Sequence, residues 1–375
     1  MSIVIFILAF FAIILIHEFG HFGAAKLFKM NAYQFNLGMG PIIWKKQHKE
    51  TQFALRALPI GGSCVLGEDD VEESEDPNDF KNKPVWQRII VIAGGAFLNL
   101  VLGLILCIVI YIVQPIPTTV VSVFSDNAVS NTGASALQKG DKIIKVNGMR
   151  IVSANEIFYK MDNSMTKGLA NDDENNDSND NSEFVVFEFV VIRNGEKVTL
   201  PRVKFEAYPN ERGGMNYVSD FWVKPADKNI INVLGYSVCQ AIGTGRMVWL
   251  MLLDIAGGTY GLNEISGPVG LVGAASEVTK QAKENAKDFK EAVASITMSI
   301  VAISALISIN LGIVNLIPIP ALDGARIVFL TVEGIRRKPV NATVEGIIHF
   351  VGFALLMLLI IVVTFNDVRQ LIVGG

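Results

Sequence analysis

Cysteine is scarce in this chain, and the three that occur lie far apart in the sequence. Cys64, Cys107 and Cys239 cannot form a Cys-x-x-Cys metal site, and we expect no disulfide framework. Charged residues are also few, at 18% of 375 residues, and the formal net charge is only −4. No cluster of lysine and arginine indicates a nucleic-acid partner.

Apolar sequence, by contrast, is abundant: 51% of the residues are hydrophobic. Four runs are long enough to cross the hydrocarbon core of a bilayer, namely residues 3–25, 89–113, 293–317 and 346–364. The first run lacks a basic start and an Ala-x-Ala cleavage site, so we expect it to be retained and not removed as a signal peptide. We therefore predict an α-helical, polytopic membrane protein with four transmembrane helices.

A fifth apolar stretch, residues 230–256, has a different character. Arg246, Asp254 and several glycines interrupt it, so we interpret it as an amphipathic helix that lies on the membrane surface. Lysine and arginine are concentrated between the first and second runs and between the third and fourth. The positive-inside rule assigns both of these loops to the cytoplasm. Both termini and the long segment 114–292 are then extracytoplasmic, in a multi-pass protein of the cell membrane that contacts the lipid bilayer.

Histidine occurs only four times, yet two of the four stand close together inside the first apolar run. Residues 17–21 read His-Glu-Phe-Gly-His, and on a helix this spacing places His17 and His21 on one face, where they can share a metal ion. Glu18 stands beside them, placed to take a proton from an attacking water. The alternatives are a chance match or a pair of structural histidines. Ionisable groups at membrane depth are costly and usually functional, which favours the metal site.

Two histidines leave a catalytic zinc site one protein ligand short, since such sites usually have three. Pro318 and Pro320 break the third apolar run, and Asp323 follows that break directly. Irregular backbone at membrane depth occurs only where it is buried in protein or lines a cavity, so Asp323 is the candidate third ligand. Asp323 could instead be the N-cap of a following helix, and Asn315 could be an ordinary interhelical hydrogen-bonding residue.

Two motifs together resemble one known family. His-Glu-Phe-Gly-His in the first run and Asn-x-x-Pro-x-Pro-x-Leu-Asp-Gly at residues 315–324 are similar to the motifs of the site-2 proteases, which are intramembrane zinc metalloproteases. The resemblance implies one zinc ion per chain, with Glu18 as the catalytic general base. It implies three zinc ligands: His17, His21 and Asp323.

The same resemblance implies four residues that contact the substrate. Asn310 and Asn315 match the family's two asparagines on the third transmembrane helix. Gly38 and Gly40 lie in a predicted β-hairpin of the first cytoplasmic loop, which in this family returns to the active site. A transmembrane helix cannot be cut while its carbonyls are bonded within the helix, and an exposed strand edge offers replacement partners. The hairpin could equally be an ordinary packed element.

Residues 118–206 carry strand and hairpin signals typical of a small α+β domain. Residues 128–137 suggest a short helix, and Asn194-Gly195 is a hairpin turn signal. With Gly140-Asp141 these elements resemble a PDZ domain inserted on the extracytoplasmic side. The acidic run 171–181 inside it lacks the spacing of a calcium site and is interpreted as a loop.

We therefore predict four parts. Residues 1–117 form a membrane core with the first two helices and the hairpin, and residues 118–206 form the PDZ domain. Residues 207–292 form an outer linker with the surface helix, and residues 293–375 form a membrane core with the last two helices and the Leu-Asp-Gly motif.

The predicted function is hydrolysis of peptide bonds in the transmembrane segments of membrane proteins by a zinc-dependent endopeptidase. A single PDZ domain resembles the bacterial branch that cuts anti-sigma factors already trimmed by an upstream, site-1-type protease. Clearance of signal-peptide remnants and maturation of peptide pheromones would need the same chemistry. A non-catalytic PDZ scaffold in the membrane would be expected to lack Glu18 or a ligand, and a zinc transporter or sensor would carry several His and acidic clusters.

Overall fold

The computed structural model describes residues 2–67, 76–166, 184–209, 215–258, 268–284 and 286–373. The α-helices are α1 (Ser2–Leu27), α2 (Val85–Val113), α3 (Ala154–Thr166), α4 (Ile230–Ala256), α5 (Pro268–Glu284), α6 (Phe289–Leu316), α7 (Asp323–Arg336) and α8 (Ala342–Val373). The strands are β1 (Gln34–His48), β2 (Thr51–Val65), β3 (Ile116–Phe124), β4 (Lys142–Val146), β5 (Met149–Arg150), β6 (Phe184–Arg193), β7 (Glu196–Pro209), β8 (Met215–Tyr217) and β9 (Phe221–Ala226). The acidic run 171–181 lies outside the described residues.

The chain divides into two compact units, residues 1–106 with 262–375 and residues 107–261. Among the described helices, α1, α2, α4, α6 and α8 are long and apolar enough to cross a membrane. Four of these coincide with the predicted apolar runs, because a helix bonds its own backbone polar groups where no water can do so. The fifth, α4, is the stretch that the sequence suggested to be a surface helix.

Glycines allow α1 and α2 to approach closely in the first unit. A Cβ added at Gly20 would lie 2.3 Å from the Gly94 carbonyl oxygen, and one added at Gly94 would lie 2.7 Å from that of Gly20. Small residues at such contacts are usual between membrane helices. At the start of α2, both Arg88 terminal nitrogens bond the Glu333 carboxylate of α7. This ion pair fixes α7, which begins at Asp323, against α2.

β1 and β2 pair antiparallel as a long hairpin in the same unit. The outer halves pair directly across the turn, residues 44–48 with 51–55, and the inner halves pair as residues 34–37 with 62–65. Three glycines on these strands adopt positive φ, which other residues rarely do: Gly38, Gly40 and Gly61. The hairpin can therefore bend where a regular strand would stay extended.

The second unit contains a seven-stranded sheet in the order β8-β7-β6-β4-β3-β9, with β5 beside β4. Its core combines aliphatic side chains with four phenylalanines and includes Ile157 and Met161 of α3. The largest core side chains from the sheet are Phe187, Phe189, Phe205 and Phe221. Because β8 and β9 follow residue 206, the sheet extends into the segment that the sequence assigned to the outer linker.

Two buried aspartates organise the turns of this unit. Asp141 accepts hydrogen bonds from Nε and Nη2 of Arg193 at 2.8 and 2.7 Å, which accounts for the Gly-Asp element. Asp220 accepts from the backbone N–H groups of Val129 and Ser130 at 2.8 and 2.9 Å. The predicted short helix at 128–137 is wrong, since this segment forms successive turns. The Asp220 carboxylate satisfies two backbone amides of these turns.

α4 packs on α3 through polar contacts. Arg246 Nη1 lies 2.9 Å from Glu156 Oε1, and Asn163 donates to Asp254 Oδ2 at 2.6 Å. The charged residues that interrupt the apolar stretch are thus paired with the helix of a folded β-sheet domain. Charges paired in this way need not be carried into lipid, where they would be costly.

Candidate metal centre

Three side-chain atoms from two distant parts of the chain meet at one point. Nε2 of His17 and Nε2 of His21, both on α1, lie 3.2 Å apart. Asp323 Oδ2, at the start of α7, lies 3.1 Å from the first and 3.3 Å from the second. Both histidines are buried, and these three residues form a group able to hold a metal ion. The structure therefore brings together the three predicted ligands.

The His21 ring is oriented by the backbone of α2. Its Nδ1 lies 3.0 Å from the Val91 carbonyl oxygen. A carbonyl only accepts, so Nδ1 carries the hydrogen, and in the neutral ring Nε2 then has a lone pair. That lone pair faces a carboxylate oxygen of Asp323, an arrangement that a cation between them stabilises. An outer N–H bonded to a carbonyl is also the usual state of a metal-binding histidine.

Two asparagines contact the ring of His17. Asn315 Nδ2 lies 3.2 Å from His17 Nε2, and Asn99 Nδ2 lies 3.3 Å from His17 Nδ1. Asn99 is fully buried, and its Oδ1 has no hydrogen-bond partner among the described residues. A half-turn of the Asn99 amide would bring Oδ1 to the ring as an acceptor for Nδ1–H. His17 would then present Nε2 as a lone pair, as His21 does.

The spacing of the three ligand atoms matches zinc. With metal–ligand bonds of about 2.0–2.1 Å, two ligands of a tetrahedral zinc stand about 3.3–3.4 Å apart. The observed separations of 3.1, 3.2 and 3.3 Å are close to that value. Two imidazoles and one carboxylate are also a donor set of catalytic zinc sites, which leave the fourth position open.

Asp323 does not act as the N-cap that it could have been. The N-cap position of α7 is Leu322, which makes no side-chain capping bond, and Asp323 is the first helical residue. The carboxylate is directed to the two histidines instead. A Cβ at Gly324 would lie 2.1 Å from the Ile317 carbonyl oxygen, so the following glycine lets the chain turn tightly enough to place it.

Glu18 lies between the metal-binding group and the hairpin. It follows His17 on α1, and a Cβ added at Gly62 of β2 would lie 2.8 Å from Glu18 Cγ. The inner half of the hairpin therefore runs against the side chain of the predicted general base.

The other three residues predicted to contact the substrate are Gly38, Gly40 and Asn310. Gly38 has φ +84°, and a Cβ there would lie 2.3 Å from the Leu58 carbonyl oxygen, so the hairpin itself requires this glycine. Gly40 has φ +87° and Leu58 side-chain atoms near its Cβ position. Asn310 is five residues before Asn315 on α6, which turns it about 140° away around the helix. Its Oδ1 is buried without a partner among the described residues.

Sequence reasoning missed the part that α2 plays in this centre. A Cβ at Gly95 would lie 2.5 Å from His21 Nε2 and 2.8 Å from His17 Cε1, so only glycine leaves room for the rings. One signal was present in the sequence: Gly95 and Asn99 are four residues apart in a span otherwise rich in large apolar residues, and hence share a face.

Two buried histidines on an apolar helix, with a carboxylate and an adjacent glutamate beside them, define a class, the membrane metalloproteases. The profile of Peptidase family M50 matches residues 5–359, and the chain belongs to this family. It is a site-2-type zinc metalloprotease and a multi-pass membrane protein.

Similar proteins occur in several bacteria. A Clostridium acetobutylicum protein named as a candidate zinc metalloprotease is 32% identical, over 98% of this chain and 97% of its own length. The regulator of sigma-W protease RasP of Bacillus subtilis is 25% identical, with 99% of each chain covered. The zinc metalloprotease RasP of Shouchella clausii is 28% identical over the same shares.

Proposed function

We propose that this chain cleaves peptide bonds within membrane-spanning segments, with one zinc ion held by His17, His21 and Asp323 and with Glu18 as the general base. The proposal rests chiefly on the convergence of three candidate ligand atoms within 3.3 Å, two of them on buried histidines, beside a glutamate. The apolar helices that carry these residues make a bond inside the bilayer the natural substrate.

The roles of the side chains follow from their chemistry. Zinc in such a site acts as a Lewis acid toward a carbonyl oxygen and toward water. Glu18 takes the proton of the attacking water and passes it to the leaving amine, so one carboxylate serves as base and then as acid. The Val91 carbonyl contacts Nδ1 of His21 and the Asn99 side chain contacts Nδ1 of His17, and these contacts orient the two imidazoles. Asn315, beside His17 Nε2, is placed to hydrogen-bond the substrate or a developing oxyanion.

The hairpin is proposed to hold the substrate in extended form. A helical segment must release its internal hydrogen bonds before a carbonyl can be attacked, and these groups need new partners inside the membrane. β2 passes Glu18 at Gly62, and a strand edge in that place would pair with an extended peptide. Gly38 and Gly40 would act by shaping this edge.

Four transmembrane helices, α1, α2, α6 and α8, are proposed, with α4 lying on the membrane surface. Arg246 and Asp254 of α4 are paired with α3, which packs on the β-sheet. At the start of α4, Lys228 Nζ bonds the carbonyls of Ile112 and Val113 at the end of α2, which supports a boundary between membrane and solvent near this point. The unit is proposed to be a PDZ domain that filters substrates on the extracytoplasmic side.

Cysteine labelling tests this topology. We expect Lys139→Cys to react with a membrane-impermeant maleimide on intact cells, and Gln47→Cys to react only after permeabilisation, because both positions are exposed and the basic hairpin loop is cytoplasmic. A Cys107→Ala, Cys239→Ala background is suitable, because burial and the Glu18 carboxylate raise the pKa of the Cys64 thiol to about 12 and keep it protonated. The reverse pattern would place the sheet unit in the cytoplasm.

The substrate class is proposed to be single-span membrane proteins already shortened by another protease, including anti-sigma factors. The name of the Bacillus subtilis relative links that protein to regulation of sigma-W. Remnant signal peptides and peptide-pheromone precursors are the alternative substrates. Comparing the membrane proteomes of wild-type cells and of cells with Glu18→Gln would identify which of these accumulates.

Glu18→Gln tests the function itself. The amide keeps the shape of the side chain but cannot accept the proton, so cleavage of a co-expressed single-span substrate should fall by at least about 10²-fold. Zinc content should stay at one per chain, since the three ligands are untouched. Cleavage is followed by immunoblot and zinc by atomic absorption of the purified protein.

Glu50→Gln provides the matched control for this loss. Glu50 pairs with Lys26 at the exposed turn of the hairpin, so the same chemical change there should leave cleavage intact. Undiminished cleavage by a zinc-loaded Glu18→Gln protein would remove Glu18 as the base and with it the proposed mechanism.

A further inference from the structure

The loop between α6 and α7 presents Asp323 to the histidines, and its backbone has few hydrogen bonds to hold it. Pro318 and Pro320 have no N–H group. Ile319 donates to the Ile317 carbonyl and Leu322 donates to the Ile319 carbonyl, so both bonds stay within the loop. Ile317 donates back to the Val314 carbonyl of α6, and the last donor is Ala321, two residues before Asp323.

Ala321 has a left-handed backbone, with φ +79°, which is rare for a residue with a side chain. Such conformations persist only where the surroundings enforce them, and they cluster at functional sites. The Ala321 N–H donates to Nδ1 of His349 on α8, at 3.1 Å. A side chain outside the loop therefore fixes its most constrained residue.

This contact requires one particular form of the imidazole. A backbone N–H can only donate, so His349 Nδ1 must carry a lone pair and Nε2 must carry the hydrogen. Nε2 is buried and faces Glu345 Oε1 at 3.9 Å, one turn earlier on α8. The Phe329 ring of α7 packs on the imidazole, with centroids 5.7 Å apart. The ring is thus held between two helices with its acceptor directed at the loop.

A second contact from α8 meets the same loop. A Cβ added at Gly352 would lie 2.2 Å from Pro320 Cβ and 2.9 Å from the Pro320 carbonyl oxygen. Gly352 and His349 are three residues apart and hence on one face of the helix. Adjacent loop residues, Pro320 and Ala321, therefore rest on one surface of α8.

We propose that His349 is a positioning residue for the metal centre, which acts by holding the Ala321 amide so that the next turn delivers the Asp323 carboxylate to His17 and His21. The inference rests on the proposed function, in that Asp323 must be a ligand. Without the acceptor, the Ala321 N–H loses the hydrogen bond that holds it, and an unpaired amide is costly wherever water does not replace the partner. The loop then relaxes, and Asp323 leaves its place.

Two amide substitutions separate this role from simple packing. The Asn side-chain oxygen falls close to the position of histidine Nδ1, whereas the Gln oxygen falls close to that of Nε2. His349→Asn should therefore keep the acceptor and near-wild-type zinc affinity. His349→Gln and His349→Leu should bind zinc roughly ten- to hundred-fold more weakly, the usual loss for an outer contact of a metal site. Affinity is measured on the purified full-length protein by competition with a chromophoric chelator.

The absorption spectrum of the cobalt-substituted protein gives a readout independent of activity. It should change in His349→Gln and return to the wild-type form in His349→Asn. Gly352→Ala should weaken zinc binding in the same direction by displacing Pro320. Gly346→Ala, on the same helix with no atom within 4 Å of its Cβ position, should not change it.

The outcomes also distinguish this inference from the ligand assignment. Asp323→Ala that loses zinc together with His349→Gln that keeps full affinity would overturn the positioning role alone. Folded His349→Asn protein that binds zinc as weakly as His349→Leu would also overturn it, because the hydrogen bond would then be irrelevant. Full zinc in Asp323→Ala would refute the proposed ligand set first.

Discussion

Asp323→Ala is expected to remove zinc and to abolish peptide hydrolysis. Asp323 Oδ2 lies 3.1 and 3.3 Å from the two Nε2 atoms, and its loss leaves His17 and His21 as a two-ligand site. Catalytic zinc is usually held by three protein ligands, so the ion should dissociate during purification. Zinc per chain is measured by atomic absorption, and cleavage is measured on a single-span substrate in detergent.

A helix-capping role for Asp323 makes a different prediction, and the chain contains a control for it. Asp288 is a true N-cap, since its side chain accepts from the Glu291 N–H at 2.7 Å at the start of α6. Asp288→Ala should cost about 0.5–2 kcal/mol of stability and leave zinc in place. A folded Asp323→Ala protein with one zinc per chain would show that another residue supplies the third ligand.

The three candidate ligands could be predicted from the sequence because local patterns indicate them. The four-residue spacing of His17 and His21 guarantees a shared helix face, whatever surrounds it. Asp323 follows a proline break in an apolar run. Irregular backbone in such a run occurs only where it is buried in protein or lines a cavity, which indicates a functional site. Neither inference needed to know which helices are neighbours.

The rest of the centre depends on which helices are neighbours, and one sequence does not contain that information. Gly95, Val91 and Asn99 matter only because α2 packs against α1, and His349 matters only because α8 reaches the loop before Asp323. Gly95 looks like any small residue of a membrane span until the two rings are placed beside it.

The sheet extends past the predicted boundary at residue 206 for a related reason. β9 begins 15 residues after residue 206 and pairs with β3, which is the first strand of this sheet in the sequence. The pairing therefore joins the beginning and the end of the sheet's sequence. Strand signals in a short segment such as residues 221–226 give no clue to a partner about 100 residues earlier. The turns at 128–137 likewise depend on Asp220, which lies far along the chain.

Gly95→Ala is expected to be nearly as damaging as loss of a ligand, although it adds one methyl group. In a helix interior this change normally stabilises by roughly 0.5–1 kcal/mol. Here the new Cβ would lie 2.5 Å from His21 Nε2 and 2.8 Å from His17 Cε1, well inside contact distance. The preceding residue of α2, Gly94, packs directly on Gly20 of α1. The backbone of α2 therefore cannot move away from the rings without breaking the contact between α1 and α2. The imidazoles must move instead.

Displaced rings no longer direct both Nε2 atoms to one point, so zinc affinity should fall by roughly ten- to hundred-fold and cleavage by about 10²-fold. Gly23→Ala is the control, because it lies on α1 two residues after His21 and no atom stands within 4 Å of its Cβ position. That variant should keep its zinc and its activity and unfold at a slightly higher temperature. If Gly95→Ala instead behaves like Gly23→Ala, with full zinc and full cleavage, the histidine rings do not occupy the positions described, and the proposed arrangement of α1 against α2 at the metal centre is wrong.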